Sequence, residues 1–147
     1  MLAAAALVSH HVSCGVLLSG AEELGLAGAR AWATGHDTGI ALNCDGVDDE
    51  GRLVIMYDRE VPRAVVAAVR AAAAPRIGAR ARRMPLGLLT DSTALAAAGW
   101  QAVTVSHGSL ATLRRVHTTR DSLAALRGTA IDDVAGILAR AAEALAT

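Results

Sequence analysis

Short apolar runs alternate along the chain with segments whose apolar residues recur at helical spacing. The runs that we predict to be strands are Val12–Ser19, Gly39–Cys44, Leu53–Tyr57 and Ala102–Ser106. In the first of these runs apolar residues fall on both faces, which is typical of an internal strand of a parallel sheet. Strands that alternate with helices predict an α/β fold, a three-layer sandwich around a mostly parallel, mixed sheet.

The intervening segments carry helix signals at their ends. The predicted helices are Met1–His10, Glu22–Trp32, Arg63–Ala74, a segment from Thr90 or Asp91 to Ala98, and Ile131–Ala146. In the last helix Ile131, Val134, Leu138 and Ala142 recur at helical spacing, so we expect them to form its buried stripe. The segment Ile77–Met84 alternates arginine with apolar residues, which indicates an exposed edge strand.

Composition limits the classes of protein to which the chain can belong. Its 147 residues are 53% hydrophobic, with 14 basic and 14 acidic side chains, and we predict one domain over residues 1–147. A balanced charge argues against a nucleic-acid partner. No apolar run reaches the roughly 18 residues that span a bilayer, so we expect no membrane partner. Because Met1–Val12 lacks the features of a secretion signal, the chain as given is expected in the cytoplasm, although a complete protein could be exported.

Polar side chains follow the predicted strands where a ligand site is expected. Glu22 and Glu23 come directly after the first strand, Asp45 ends the second, and His117 lies in a later loop. Ligands of open α/β sheets gather at the carboxyl ends of strands. Two adjacent carboxylates repel each other unless a cation intervenes, and carboxylate and imidazole groups together suit zinc. One glutamate then serves as a ligand while the other transfers a proton during hydrolysis.

Each of these residues also has a purely structural interpretation, and spacing does not decide between the two. Glu22 and Glu23 are equally suited to the first turn of a helix, where the helix dipole favours acidic residues. Asp45 suits a turn-capping role, and His117 suits a solvated loop. The other histidines are expected at the surface: His10, His11, His36 and His107.

Three ordered blocks of sequence resemble one enzyme family. VSCGVLLSGAEELGLAGARAWA closely resembles the strand and Glu-Glu-x-Gly-Leu-x-Gly signature of the co-catalytic zinc aminopeptidases, family twenty-eight of the metallopeptidases. LNCDGVDDEG resembles the Asn-x-Asp strand end of that family. LLTDSTALAAAGWQAVTVS, followed by VHTTRDS, is similar to its C-terminal blocks. The resemblance extends from about Ala5 to the final helix.

The resemblance implies a two-zinc exopeptidase that hydrolyses peptide bonds with a zinc-activated water and releases an N-terminal residue. It implies Glu22 as the general base, Glu23 and His117 as ligands of one zinc, and Asp45 as a ligand of the other. Asp91 and Asp121 match positions that support the ligands in the family. The implied partner is a peptide substrate.

Two metal-site residues of the family have no counterpart in this sequence. The family carries a His-x-Asp motif and a metal-bridging aspartate before the Glu-Glu strand, whereas only Met1–His11 precedes that strand here. We therefore expect a truncated, C-terminal portion of a zinc exopeptidase, with weak zinc binding and little activity. An exposed sheet edge and self-association are expected as well. The alternatives are a non-catalytic or split-enzyme module of the same fold, or a glutaminyl-cyclase-like acyltransferase.

Overall fold

A four-stranded sheet carries helices on both of its faces. The computed structural model describes residues 2–8, 13–74 and 78–146. The elements in chain order are α1 (Leu2–Leu7), α2 (Ala27–Thr34), β1 (Ile40–Val47), β2 (Arg52–Tyr57), α3 (Arg63–Ala73), β3 (Arg80–Arg83), α4 (Asp91–Ala97), β4 (Gln101–Gly108), α5 (Leu110–Arg115) and α6 (Thr129–Leu145). Short 3-10 turns lie at Glu22–Leu24 and Leu123–Ala125. No helix within the described ranges is long and apolar enough to cross a membrane.

The strand order is β1-β4-β2-β3, and the sheet is mostly parallel. β1 runs parallel to β4, with Ile40 opposite Gln101, and β2 runs parallel to β3. Only β2 and β4 are antiparallel neighbours, with Ile55 opposite Val105. The predicted mixed α/β architecture is therefore confirmed, and the arginine-rich segment forms the edge strand β3 as expected.

Strand β4 is buried on both faces because helices cover each of them. Val103 and Val105 are inaccessible to solvent and pack in the main core, which β2, β4, α3 and α6 form together. Ala102, which has the opposite orientation, packs with Leu95 of α4 and Ala33 of α2. Each fully buried valine contributes on the order of 1.5–3 kcal/mol relative to an exposed one. The apolar pattern of this strand is the pattern expected for the middle layer of a sandwich.

The first predicted strand is not a strand in the structure. Val12 lies outside the described residues, and residues 13–20 have no strand conformation. Val16 and Leu18 are 40% and 68% exposed rather than buried. Within the part of the chain that the structure describes, β1 pairs only with β4, so this segment is not paired with a neighbouring strand. A strand is stable only when another strand satisfies its backbone groups.

The predicted helix Glu22–Trp32 is interrupted, which corrects the second expectation. The 3-10 turn ends at Gly25, and both Gly25 and Leu26 have left-handed backbones, with φ of 73° and 62°. Leu26 nevertheless buries its side chain against Ala29 of α2 and Ala94 of α4. A left-handed backbone is unfavourable for leucine. At Leu26 it separates the 3-10 turn from α2, which begins at the next residue.

The buried stripe of α6 differs from the predicted one at Ile131. Ile131 is 42% exposed, whereas Val134 and Leu138 are buried, and Ala142 is half-buried. Ile137 and Ala141 complete the buried face. The expectation for Ile131 was wrong because the buried face of the first turn is the one that carries Ala130, and Ile131 lies at its side.

Candidate metal centre

A close contact between two glycines sets the position of the glutamates. The N–H of Gly28, in α2, donates to the carbonyl oxygen of Gly20 at 3.1 Å. A Cβ atom on Gly28 would lie only 2.2 Å from that oxygen, so no larger residue fits without displacing the backbone. Ala21 then has a left-handed conformation, with φ of 56°, and the chain turns into Glu22 and Glu23. The glutamates are thus presented by a tight turn and not by a regular helix.

Glu22 lies in a cluster of negative charge. Desolvation by burial raises the pKa of Glu22, and the carboxylates of Glu23, Asp45 and Asp91 raise it further, while His117 lowers it. These contributions show that the fold brings five of the six predicted site residues near one another. A raised pKa makes a carboxylate a stronger base, which favours the acceptance of a proton.

Asp45 is positioned by a β-bulge. The register between β1 and β4 shifts between Cys44 and Val47, and Gly46 has φ of 64°. The Ser106 hydroxyl donates to the Gly46 carbonyl at 2.9 Å and secures the bulge. Desolvation raises the pKa of Asp45, the Gly46 N–H lowers it, and Asp91 and Glu23 raise it. Bulges commonly redirect a side chain next to a functional site, and this one places Asp45 among the other carboxylates.

Asp91 opens helix α4 and contacts the segment that leads to the glutamates. The Ser19 hydroxyl donates to Asp91 Oδ2. Asp91 Oδ1 is buried and has no hydrogen-bond partner among the described residues. Thr90 precedes Asp91 as the N-cap of α4, in a capping box with Thr93. The predicted supporting residue therefore lies at the centre of the cluster, and one of its oxygens is without a partner there.

Three buried hydroxyl groups lie beneath Asp91. Thr104 Oγ1, on β4, is 2.6 Å from Thr90 Oγ1 and 2.6 Å from Ser92 Oγ, and these two are 3.0 Å apart. The Asn43 side chain, on β1, donates to Thr104 Oγ1 at 3.2 Å. The hydroxyl cluster therefore fixes both neighbours of Asp91 to the central strand.

His117 follows helix α5, which the sequence did not predict. Ser109 caps that helix and accepts the N–H groups of Ala111 and Thr112 at 3.1 and 3.4 Å. His117 itself has a left-handed backbone, with φ of 63°. Its Nε2 lies 3.5 Å from Glu23 Oε1, and both side chains are largely exposed. The structure thus brings together the predicted ligand pair Glu23 and His117.

The remaining candidates lie elsewhere. The Asp121 N–H donates to the Thr118 carbonyl at 3.0 Å, and its carboxylate accepts no hydrogen bond within the described ranges. His36 is exposed as expected and stacks on Trp32, with ring centroids 4.2 Å apart. His107 is half-buried, contrary to the expectation, and its Nδ1 donates to the Asp48 carbonyl at 2.6 Å. His10 and His11 lie outside the described residues.

The donor atoms fit zinc in chemistry and spacing, but only as a pair. Two ligand atoms on one tetrahedral zinc, each about 2.1 Å from it, lie about 3.4 Å apart. Glu23 Oε1 and His117 Nε2, at 3.5 Å, match this separation. No group of three histidine, cysteine or carboxylate side chains with metal-binding geometry occurs in the described part of the chain. The pair therefore has two suitable side chains, whereas a catalytic zinc site ordinarily has three protein ligands.

The sequence did not predict the residues that hold the site residues in place through hydrogen bonds. Ser19 contacts Asp91, and Asp48 contacts Arg115. Thr104 contacts Thr90 and Ser92, the two neighbours of Asp91. Two signals were present in the sequence. Ser109 and Thr112 have the spacing of a capping box before an unpredicted helix, and two adjacent aspartates follow the second strand. What each aspartate contacts was not readable from the sequence.

An α/β fold that brings a cluster of carboxylates and one histidine together defines a candidate metallohydrolase-type site. The sequence model of Peptidase family M28 matches residues 1–142, and the chain belongs to this family. The fold is similar to that of an aminopeptidase from Aneurinibacillus sp. strain AM-1, with a TM-score of 0.74 and 24% identity. That match covers 87% of this chain and 32% of the aminopeptidase, so the chain spans about a third of its length. No curated protein sequence matches the chain significantly.

Proposed function

We propose that the chain carries part of the active site of a metal-dependent exopeptidase of the aminopeptidase type. Membership of a peptidase family supports peptidase function in general. The observation that carries the finer proposal is the 3.5 Å separation between Glu23 Oε1 and His117 Nε2, which suits two ligands of one zinc ion. The proposed substrate is a peptide with a free N terminus.

Each residue of the cluster has a distinct proposed role. Glu23 and His117 would hold one zinc, and Asp45 would contribute to a second. Zinc, when bound, supplies a Lewis acid that polarises the scissile carbonyl and makes a water molecule more acidic. Glu22 would take a proton from that water and deliver it to the amine that leaves, a role that its raised pKa favours. Asp91 would orient the neighbouring groups, as its contact with Ser19 supports, and Asp121 keeps its proposed supporting role.

The proposal includes weak metal binding by the chain alone. Glu23 and His117 form a pair, and no three-ligand group occurs among the described residues. A zinc site with two protein ligands binds more weakly than one with three, and catalytic zinc sites ordinarily have three. We therefore expect little aminopeptidase activity from the 147 residues by themselves, and fuller activity only where further ligands join the site.

Metal binding is the direct test of the ligand pair. Titration of the chain with Co²⁺, measured by calorimetry and by visible absorption, should show one weak binding site. Glu23→Gln and His117→Gln should each abolish that site. Glu60→Gln and His36→Gln are matched controls, because both residues are exposed and lie outside the cluster. The proposal fails if the chain binds no Co²⁺, or if the control substitutions weaken binding as much as those in the pair.

Activity separates hydrolysis from the alternative reaction. The chain in saturating Zn²⁺ should release nitroaniline slowly from aminoacyl-nitroanilides and should not cyclise peptides with N-terminal glutamine. Glu22→Gln should remove this hydrolysis and leave Co²⁺ affinity nearly unchanged, since Glu22 is not a proposed ligand. Cyclisation without hydrolysis would favour a glutaminyl-cyclase-like acyltransferase instead.

We also propose that two copies of the chain associate through the free edge of β1. β1 pairs with β4 on one side only, as far as the structure describes, and Ile40, the first residue of β1, is 40% exposed. Unpaired strand edges are templates for another strand. Sedimentation should show concentration-dependent dimers, and Ile40→Lys should disrupt them. The control Leu123→Lys, at an exposed apolar residue outside β1, should leave the dimers intact. A monomer at all concentrations would contradict this.

A further inference from the structure

A buried aspartate lies in the loop between β1 and β2, away from the carboxylate cluster. Asp48 is 3% exposed, and its Oδ2 accepts hydrogen bonds from the Thr112 hydroxyl at 2.7 Å and from Arg115 Nη2. Its backbone N–H donates to the His107 carbonyl at 2.7 Å, and its own carbonyl accepts from His107 Nδ1 at 2.6 Å. A buried charge of this kind is stable only when it is paired and hydrogen-bonded. The loop is thus anchored to the end of β4, and the carboxylate points at helix α5.

The electrostatic balance of Asp48 agrees with a paired carboxylate. Burial alone raises its pKa, but hydrogen bonds from Thr112, Arg115 and the Glu50 N–H, together with the charge of Arg115, lower it overall. The ionised form is therefore the one that the fold stabilises. A charge-assisted hydrogen bond between an arginine and a carboxylate is among the stronger polar contacts in proteins.

Arg115 connects Asp48 to the segment that carries His117. Arg115 is the last residue of α5, two positions before His117. The Val116 N–H donates to the Thr112 carbonyl at 3.2 Å, and the Thr118 N–H and hydroxyl both donate to the Arg115 carbonyl, at 3.0 and 2.6 Å. These bonds enclose His117, whose left-handed backbone is costly for a residue other than glycine. Such a conformation persists only where the surrounding contacts fix it. Here the contacts are the hydrogen bonds on both sides of His117, and the Arg115 side chain joins them to Asp48.

We propose that Asp48 is a positioning residue that acts through Arg115 to hold His117 against Glu23. This inference rests on the proposed function, because the pair that it positions is the proposed zinc pair. Among the described residues, Asp48 makes no hydrogen bond to either member of the pair. Its effect is to fix the end of α5, so that the His117 side chain leaves the loop in the direction of Glu23.

The adjacent aspartate provides a matched control. Asp49 accepts hydrogen bonds from the backbone N–H groups of Arg127, Gly128 and Ala130 and from the Thr129 hydroxyl, which places it at the start of α6. It has no hydrogen bond to α5 among the described residues. Asp48 and Asp49 thus have the same chemistry and adjacent positions, but they hold different helices. A global loss of stability in either variant would accelerate exchange throughout the chain, whereas a positioning effect would accelerate it at the end of α5 and only when Asp48 is replaced.

The test compares Asp48→Asn, Arg115→Gln and Asp49→Asn in the 147-residue chain. Native-state hydrogen exchange should show faster exchange at the Val116 and Thr118 amides in the first two variants, relative to β4 amides that report global opening. Co²⁺ affinity should fall about 10-fold or more in those variants, the range typical when a partner behind a ligand is removed. Asp49→Asn should instead accelerate exchange at Gly128 and Ala130 and change Co²⁺ affinity by less than about two-fold. Arg115→Lys should recover part of the lost affinity.

The outcomes separate this inference from the proposed function. If the wild-type chain binds no Co²⁺, the proposed zinc pair fails, and the exchange pattern alone decides whether Asp48 orders the His117 loop. Unchanged exchange at Val116 and Thr118 in Asp48→Asn would overturn the inference, as would an equal loss of Co²⁺ affinity in Asp49→Asn. If Asp48→Asn does not fold, Arg115→Gln carries the same comparison, because Arg115 is partly exposed at 27%.

Discussion

Replacement of Thr104 by valine tests whether the buried hydroxyl cluster supports the site. Valine has nearly the shape of threonine, so Thr104→Val removes the hydroxyl and leaves packing almost unchanged. Three polar contacts are lost, to Thr90 and Ser92 at 2.6 Å each and to Asn43 at 3.2 Å. A net contribution of about 1 kcal/mol per hydrogen bond gives a loss of about 3 kcal/mol in the free energy of unfolding. That is a large part of the 5–15 kcal/mol typical of a domain.

Thr104→Ser is the matched control, because it keeps the hydroxyl and removes one methyl group. Its expected cost is about 1 kcal/mol. Both costs are measurable by urea unfolding, followed by the fluorescence of Trp32 and Trp100, provided that the slope with denaturant stays constant. If Thr104→Val costs no more than Thr104→Ser, the hydroxyl cluster contributes packing and not hydrogen bonding. The inference that it fixes both neighbours of Asp91 to β4 would then be refuted.

Two further predictions concern the glutamate turn. Gly28→Ala should displace the Gly20 segment, because the new methyl carbon would lie 2.2 Å from the Gly20 carbonyl oxygen. Titration with Co²⁺ should then show weaker binding. The control Gly78→Ala should leave Co²⁺ binding unchanged, because a methyl group at Gly78 meets no other atom. Burial and neighbouring carboxylates raise the pKa of Glu22, so the metal-free folded chain holds this proton more tightly than the unfolded chain does. That contribution to stability is complete below the ordinary pKa of 4.5 and is lost as pH rises through the folded value. Glu22→Gln should therefore stabilise the chain against urea at pH 7 but not at pH 3.5, and equal effects at both values would contradict this assignment.

Elements with local signals were predictable from the sequence. Strand β4 reads as a buried strand because residues on both of its faces are apolar or small, and α4 follows a threonine cap. The arginine alternation of β3 indicated an exposed edge. Glu22, Glu23 and Asp45 were also predictable as candidates, because each follows a predicted strand. Asp91 was predictable only from the family resemblance, and His117 from its place in a loop together with that resemblance.

The remaining features depend on partners distant in the sequence. Residues 13–20 have the apolar pattern of an internal strand, but a pattern does not supply the neighbouring strand that the backbone needs. The left-handed conformation of Leu26 depends on its packing against Ala94, nearly 70 residues later. Asp48 resembles an ordinary turn residue in the sequence, and only its contact with Arg115 gives it a different role.

The tandem aspartates make a polar surface loop unusually intolerant of changes in length. Loops such as residues 48–51, between β1 and β2, ordinarily accept insertions, because their backbone makes few contacts. Here, however, neighbouring carboxylates hold two different helices, and Gly51 passes so close to Gly108 that a Cβ atom would lie 2.2 Å from its carbonyl oxygen. A single inserted or deleted residue would shift one carboxylate into the place of the other, so that α5 or α6 would lose its hydrogen bonds to the loop. The spacing of this loop is therefore as tightly constrained as that of a core strand, although composition alone would class it as a site suited to insertion.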